Sequence, residues 1–158
     1  MITQKIIAIK DLSLLSKFFI LGTFIACTNT QSSPFKYEKE FKNYLLDVFK
    51  IGAVSDAIFY IFPMSSCNFC TEESLKTLET CKSKNIILVL VGDVKNQNEE
   101  RMLKLPMPKL LDPSQKAYSY AFGLTKPLLI HIKGKECIRF FEINDTDLQK
   151  IRSYLSVN

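Results

Sequence analysis

The sequence has no tryptophan and a single histidine, His131, among its 158 residues. The lone histidine limits metal chemistry, because a closed zinc site uses four ligands that usually come as two close pairs. The sequence contains one close pair, Cys67 and Cys70, and no second pair. Although the formal net charge is +5, no block of Lys and Arg is interleaved with aromatic residues as in a nucleic-acid groove. We therefore expect neither a metal site nor a nucleic-acid partner.

The N-terminal segment has the organisation of an export signal. Lysines precede an uncharged apolar run from Phe18 to Ala26, and Cys27 follows directly. The run is shorter than the roughly 20 residues that span a bilayer as a helix, whereas a basic start and a short apolar stretch are typical of a secretory signal peptide. The residues "FIAC" resemble a bacterial lipobox in which Cys27 carries the lipid, with Phe24 where Leu is usual. An uncleaved N-terminal anchor and a plain secreted protein are the alternatives.

The export signal divides the chain into three expected parts. These are a lipoprotein-type signal peptide over residues 1–26, a polar tether over 27–36 and a folded domain over 37–158. Hydrophobic residues make up 47% of the sequence, which is enough for the packed core of one domain. The expected location is the cell envelope, lipid-anchored and facing the periplasm or another extracytoplasmic space. Because disulfides persist in such compartments, the cysteines can be oxidised there.

Hydrophobic periodicity predicts alternating helices and strands. The predicted helices cover residues 37–50, 71–84, 97–105, 114–122 and 144–155, the predicted strands cover 56–62, 85–93, 127–132 and 136–143, and 106–115 is a loop with at most a minimal strand. Glu72 and Glu73 are expected in the first turn of the second helix, and Lys82 and Lys84 in its last. Gly134 is expected in the turn of a hairpin. This order predicts a small α/β domain, a mixed sheet of about four strands with helices on both faces.

Two cysteines lie between the first predicted strand and the helix after it. Cys67 and Cys70 flank Asn68 and Phe69, and the helix is expected to begin at or just after Cys67. Free backbone N–H groups at a helix N-terminus favour a thiolate, so we expect the pKa of Cys67 to be lowered. A thiolate attacks a disulfide, and a second cysteine one helical turn on resolves the mixed disulfide. A C-x-x-C near a β–α–β pattern is typical of a thioredoxin-like redox motif.

At these residues the chain resembles the thioredoxin-like superfamily, specifically the membrane-tethered thiol–disulfide oxidoreductases of the TlpA/ResA type. The resemblance comes from "CNFC", from Glu73 three residues after Cys70, from "GLTKPLLIHIKGKE" and from the lipobox-like start, and it covers about residues 55–158. It implies extracytoplasmic thiol–disulfide exchange on protein or peptide disulfides. Cys67 is then the nucleophile, Cys70 the resolving thiol, and Glu73 either a proton relay or an ordinary acid of a solvated helix face.

The resemblance also implies a docking edge and partners. Lys126 and a cis-Pro127 would lie against the cysteines, and the backbone of Lys126 would pair with extended substrate by strand addition. Protein thiols and disulfides are the implied substrates, a membrane reductase of the DsbD/CcdA type supplies electrons, and exchange needs no cofactor. Two residues depart from the family: Ser66 where Trp usually precedes the first cysteine, and Ile61 where thioredoxins have a buried Asp. This leaves Glu73 as the only nearby acid for proton transfer.

Other functions are open at this point. One alternative is a thioredoxin-fold binding module in which Cys67 and Cys70 form a structural disulfide. Another is a copper-handling protein similar to the SCO proteins, since thiolates suit Cu(I) and His131 could be a third ligand, although that family spaces its cysteines by three residues. A peroxiredoxin needs a Pro-x-x-x-Thr-x-x-Cys pattern that "PMSSC" does not meet. Cys81 and Cys137 are expected at the opposite end of the sheet, as buried thiols or as a second disulfide.

Overall fold

The computed structural model describes residues 35–64 and 68–157, without the side chain of Asn68. They belong to a compact unit that extends from Ser33 to Asn158. The expected signal peptide, the lipidation site Cys27 and most of the tether lie outside the described residues, and so does Cys67.

The described elements alternate between helices and strands. In chain order they are α1 (Glu38–Phe49), β1 (Asp56–Pro63), α2 (Asn68–Glu79), β2 (Ile86–Val91), α3 (Gln97–Lys104), β3 (Lys109–Asp112), a 3₁₀ helix (Lys116–Ser119), β4 (Leu128–Lys133), β5 (Glu136–Glu142) and α4 (Leu148–Val157). The strands form one sheet in the order β3-β2-β1-β4-β5. β1, β2 and β3 are parallel, whereas β4 is antiparallel to both β1 and β5.

This topology is the expected thioredoxin-like fold, in which a parallel β1–α2–β2 unit is followed by an antiparallel β4–β5 hairpin and a final helix. The sheet has five described strands rather than about four, because β3 forms within residues 106–115, where at most a minimal strand was expected. The predicted hairpin is confirmed, with Gly134 in its turn. Gly134 and Lys135 both have positive φ, 60° and 75°, as a two-residue turn between twisted antiparallel strands requires.

The central strand β1 is buried on both faces of the sheet. After Asp56, every residue of the strand is buried. Phe59 on one face packs in a cluster with Phe41 of α1, and Tyr60 on the other face packs with Leu75 of α2. Residues of α3 and α4 belong to the second cluster as well. Because successive strand side chains point to opposite faces, the apolar run of β1 contributes to the hydrophobic core on each face of the sheet. The predicted helices on both faces are confirmed.

Two predicted helices have different bounds in the structure. α2 begins at Asn68, so its first turn holds no acid, and the prediction that Glu72 and Glu73 lie there is wrong. The helix ends at Glu79, because the chain then turns back toward β2; Lys82 and Lys84 therefore lie beyond its C-terminus. The stretch 114–122, predicted as a helix, forms only the short 3₁₀ helix.

Asp112 determines that 3₁₀ helix. Its buried carboxylate accepts hydrogen bonds from the backbone N–H groups of Lys116 at 3.0 Å and Ala117 at 2.8 Å, and from the hydroxyl of Tyr44 at 3.1 Å. These bonds tie the end of β3 to α1 and satisfy the donors at the start of the short helix. Burial is the main reason that the pKa of Tyr44 is strongly raised, with the charge of Asp112 adding to it.

Cys81 and Cys137 lie at the end of the sheet opposite the start of α2, as expected. Cys81 follows α2 and precedes β2, and Cys137 is opposite Ile132 near the start of β1. Neither takes part in a disulfide, so the alternative of a second disulfide is wrong. Cys137 is buried, whereas Cys81 is half-buried, and its desolvation raises the pKa of its thiol. Both therefore behave as small core residues.

Leu88→Ala and Leu111→Ala form a matched pair that tests the positions of β2 and β3. Leu88 is fully buried in β2, whereas Leu111 in the edge strand β3 is 55% exposed. We expect Leu88→Ala to lower the free energy of unfolding by about 2–5 kcal/mol, because it removes buried contacts and leaves a cavity. Leu111→Ala should change it by no more than about 0.5 kcal/mol. Urea denaturation measures both, and equal losses would contradict a central β2 beside an edge β3.

Candidate active site around Cys70

Cys70 lies where the central strand passes into a helix. β1 ends at Pro63 and α2 begins at Asn68, so Cys70 is in the first turn of α2 and is half-buried. It is disulfide-bonded. Its partner is neither Cys81 nor Cys137, and the other two cysteines of the sequence lie outside the described residues. Cys70 is therefore an oxidised cysteine at the start of a helix that follows a strand of the parallel part of the sheet.

A buried hydroxyl pair holds α2 to β1 close to Cys70. The hydroxyl of Tyr60 donates to Ser74 Oγ at 2.9 Å, and both residues are fully buried. Burial strongly raises the pKa of Tyr60, so the phenol stays protonated and remains a donor. Ser74 lies one turn after Cys70, and the pair therefore fixes the height of that turn above the sheet. Sequence reasoning missed it, although a tyrosine within an apolar strand signals a buried partner for its hydroxyl.

Glu73, the predicted proton relay, is held by two cations. Its carboxylate accepts from Lys76 Nζ at 3.1 Å and from Arg152 Nη2 at 2.8 Å. The pKa of Glu73 lies below its ordinary value. The hydrogen bond from Lys76 is the largest cause of this shift, and together with the hydrogen bond from Arg152 it outweighs the effect of partial desolvation. Arg152 also donates from Nε to Thr77 Oγ1 at 3.2 Å. Arg152, which sequence reasoning missed, thus joins α4 to the part of α2 that follows Cys70.

Lys126 and Pro127 lie beside the C-terminal end of β1. In the antiparallel register Ile61 is opposite Leu128, so continuing the register sets Pro127 opposite the next residue of β1. Lys126 is exposed and Pro127 is buried, and the carbonyl of Pro127 accepts from the N–H of Ile143 at 2.8 Å. The structure therefore brings this segment to the edge of the sheet at which α2 begins.

The expected cis form of Pro127 is wrong. No peptide bond of the described residues is cis, so the bond from Lys126 to Pro127 is trans. Trans is the lower-energy isomer of an X–Pro bond by about 0.5–1 kcal/mol. Pro127 immediately precedes β4, and its carbonyl is paired with the N–H of Ile143.

His131 lies far from Cys70. It is opposite Ile58 in β1, five residues before Pro63, which corresponds to about 17 Å along a strand. Its Nε2 is 3.0 Å from Asp56 Oδ1, and its Nδ1 is hydrogen-bonded to the hydroxyl of Tyr154. Both ring nitrogens are engaged, so the copper alternative loses the histidine on which it depended. Within residues 35–64 and 68–157, no three His, Cys, Asp or Glu side chains form a metal-binding group.

An open cleft lies next to Cys70, between the N-terminal parts of α2 and α3, and we refer to it as the α2–α3 cleft. Phe69, Glu72, Asn96, Gln97 and Asn98 line it, and its volume is about 530 Å³. Phe69 is 53% exposed, which is unusual for a phenylalanine. Sequence reasoning missed the cleft, because α2 and α3 come together only through tertiary packing.

Comparisons with known proteins give structural likenesses only. No family model matches the chain, and no curated protein does. The thioredoxin domain of a thiol–disulfide oxidoreductase from Bacteroides vulgatus has a TM-score of 0.42 and 14% identity over 64% of this chain and 79% of that one. A thiol:disulfide interchange protein DsbE from Chlorobium tepidum gives 0.43 and 12% over 66% and 81%. A secreted Mycobacterium tuberculosis disulfide oxidoreductase homologous to E. coli DsbE gives 0.40 and 13% over 64% and 82%.

Because these identities and TM-scores are low, the assignment of the fold rests on the strand order described above. A function is inferred from this chain's own residues. Among the helices of the described part, none has the length and apolar character needed to cross a membrane.

Glu73→Gln tests the ion pairs behind Cys70. Because folding lowers the pKa of Glu73, its carboxylate stabilises the fold above its unfolded pKa, and that contribution is lost as the pH falls through the lower folded pKa. We therefore expect Glu73→Gln to reduce the free energy of unfolding at neutral pH and to match wild type in acid. Urea denaturation across pH measures the difference, with Glu142→Gln at the end of β5 as the control for a lost exposed carboxylate. A loss that persists unchanged in acid would rule out the ion pairs as its cause.

Proposed function

We propose that this protein carries out extracytoplasmic thiol–disulfide exchange on protein or peptide disulfides through Cys67 and Cys70. The observation that supports this proposal is that Cys70 is disulfide-bonded in the first turn of α2, the helix that follows the central strand. Cys81 and Cys137, in contrast, form no disulfide. Cys67 is the proposed partner, three residues before Cys70.

In the proposed reaction the reduced protein transfers two electrons to a substrate disulfide. The Cys67 thiolate attacks one substrate sulfur, a mixed disulfide forms, and the other substrate sulfur leaves as a thiolate. Cys70 loses its proton and attacks the Cys67 sulfur, which releases the second substrate thiol and leaves the Cys67–Cys70 disulfide. A membrane reductase of the DsbD/CcdA type then restores both thiols with two electrons from its own dithiol. No cofactor takes part in these steps.

Glu73 and the Lys126–Pro127 segment have supporting roles in the proposal. Glu73 lies one turn after Cys70 and is the acid that would receive the Cys70 proton. Lys126 is the docking residue, since the pairing between β4 and β1 begins only at Leu128 and Lys126 is exposed. Its backbone is therefore outside the paired part of the sheet and suits strand addition by a substrate segment.

The proposed location is the outer face of a membrane in the cell envelope. Residues 1–26 act as a lipoprotein-type signal peptide, Cys27 becomes the lipidated N-terminus with palmitate among its acyl chains, and residues 27–36 tether the domain. The basis is the lysine-rich start, the short apolar run and the "FIAC" sequence. An anchored domain would meet a membrane reductase without diffusing through the whole compartment.

Cys70→Ser should trap substrates, because the mixed disulfide on Cys67 then has no resolving thiol. We expect Cys67-linked adducts that appear on non-reducing gels and disappear with reductant. Cys67→Ser should form none, and Cys81→Ser, which removes a half-buried thiol elsewhere, should match wild type. If Cys70→Ser forms no adducts and Cys67 alkylates with an ordinary thiol pKa of about 8.5, exchange is excluded and the binding module with a structural disulfide is favoured.

Cys27→Ser should release the protein from membranes into the soluble extracytoplasmic fraction, because the acylation site is lost. Fractionation with detection of the protein measures this, and labelling with a radioactive fatty acid should give signal in wild type only. Membrane retention of the variant equal to that of wild type would contradict lipid anchoring at this cysteine.

A further inference from the structure

The α2–α3 cleft combines an exposed aromatic ring with carboxamide side chains. A carboxamide presents both donors and an acceptor, so it can pair with the N–H and C=O of a peptide backbone. Asn96 is already engaged, since its Oδ1 accepts from the backbone N–H of Glu99 at 3.0 Å. Gln97 is exposed, and Asn98 has only a long contact of 3.5 Å to Arg101. Gln97 and Asn98 are therefore the polar groups that can turn toward a ligand, and Phe69 supplies an apolar contact.

The charges that line the cleft restrict which kinds of ligand can bind there. Among the described residues that line it there is no Lys, Arg or His, so these residues offer no cation to a phosphate or another strong anion. The one carboxylate, Glu72, is 2.9 Å from Lys76 Nζ, which balances its charge. The cleft is open to solvent, so an occupant would lie along it and would not be enclosed. A neutral, extended polypeptide segment with an apolar side chain fits these properties.

The position of the cleft connects it to the exchange reaction. Phe69, which lines the cleft, directly precedes Cys70 in α2. α3 follows β2, which pairs with β1 on one side, whereas β4, which Pro127 precedes, pairs with β1 on the other. The cleft and the Lys126–Pro127 segment therefore lie on opposite sides of β1, the strand that precedes the helix of Cys70.

We propose that the α2–α3 cleft binds the polypeptide segment next to the target disulfide of a protein substrate. An apolar substrate side chain packs on Phe69, and the substrate backbone hydrogen-bonds to Gln97 and Asn98. The proposal rests on the proposed thiol–disulfide exchange and deepens it, because it makes the protein selective for disulfides within polypeptides over small disulfides. A small disulfide has no flanking chain to occupy the cleft.

Gln97→Ala tests the cleft without altering the cysteine pair. The purified, reduced protein is assayed with a peptide disulfide that has leucine beside a cysteine, and with bis(2-hydroxyethyl) disulfide. We expect Gln97→Ala to raise KM for the peptide about three- to tenfold, the value of one neutral hydrogen bond, with kcat nearly unchanged. The small disulfide should react as with wild type. Gln149→Ala, which removes an exposed glutamine from α4, is the matched control and should change neither substrate.

Phe69→Ala tests the aromatic contact. It should raise KM for the leucine peptide more than for a peptide with alanine in that place, and Phe69→Leu should recover most of the loss. Because the residues between two cysteines also tune their reduction potential, the potential of each variant is measured, and a change in potential affects both peptides equally. Tyr118→Ala, at another exposed aromatic residue, should leave both peptides unchanged.

The outcomes separate this proposal from the function on which it rests. If wild type reduces both disulfides but Gln97→Ala behaves like Gln149→Ala, or slows both substrates equally, the cleft is not a peptide site and exchange still stands. If Phe69→Ala affects the leucine and alanine peptides equally, the apolar contact is excluded. If wild type reduces neither disulfide, the proposed function fails, and the cleft proposal fails with it.

Discussion

The burial of β1 on both faces is the constraint on which the site depends. A strand that is covered above and below cannot shift along its axis without moving side chains in two cores at once, because side chains of opposite parity enter opposite clusters. The pairs from Ile58 to Pro63 with β2, and from Asp56 to Ile61 with β4, fix its position in the sheet as well. The point at which the chain leaves the sheet is therefore rigid, and Cys70 follows it within seven residues.

α2 inherits this rigidity through polar contacts from two directions. From the sheet, the hydroxyl of Tyr60 in β1 donates a hydrogen bond to Ser74. From α4, Arg152 donates hydrogen bonds to Glu73 and Thr77. Ser74 and Thr77 are buried polar residues on a helix that also buries leucines, and buried hydroxyls are costly unless they are paired. Their partners thus specify the rotation of α2 about its axis as well as its height. The C-terminal helix α4 is consequently part of the support of the site.

The secondary-structure elements that could be predicted were those with a clear hydrophobic pattern in the sequence. β1 and β2 were predictable because central strands are long apolar runs, and the β4–β5 hairpin because a glycine separates two such runs. β3 was nearly missed, since an edge strand of four half-exposed residues has no such run. The start of α2 agrees with the expectation from the cysteine motif, at or just after Cys67, whereas apolar periodicity alone begins the helix at Thr71.

Contacts between distant residues were beyond sequence reasoning. Arg152 and Glu73 are 79 positions apart, and neither has a pattern that points to the other. The α2–α3 cleft has the same origin, because Phe69 and Gln97 meet only when both helices pack on one face of the sheet. The predicted isomer of Pro127 was wrong for another reason: the cis form was inferred from a resemblance, and no residue pattern of this chain pointed to it.

Proton handling at the site follows from Ile61 and Glu73 together. Ile61, at the position where the resemblance to thioredoxins implies an aspartate, is fully buried among apolar side chains and supplies no base. In the proposed exchange, Glu73 is then the carboxylate that would accept the Cys70 proton. With its pKa lowered, first of all by Lys76, Glu73 is a weak base at neutral pH. Loosening either ion pair raises its pKa and makes it a better acceptor. The cations that fix the position of Glu73 thus also limit its basicity, which would couple support of α2 to the resolving step of the proposed exchange.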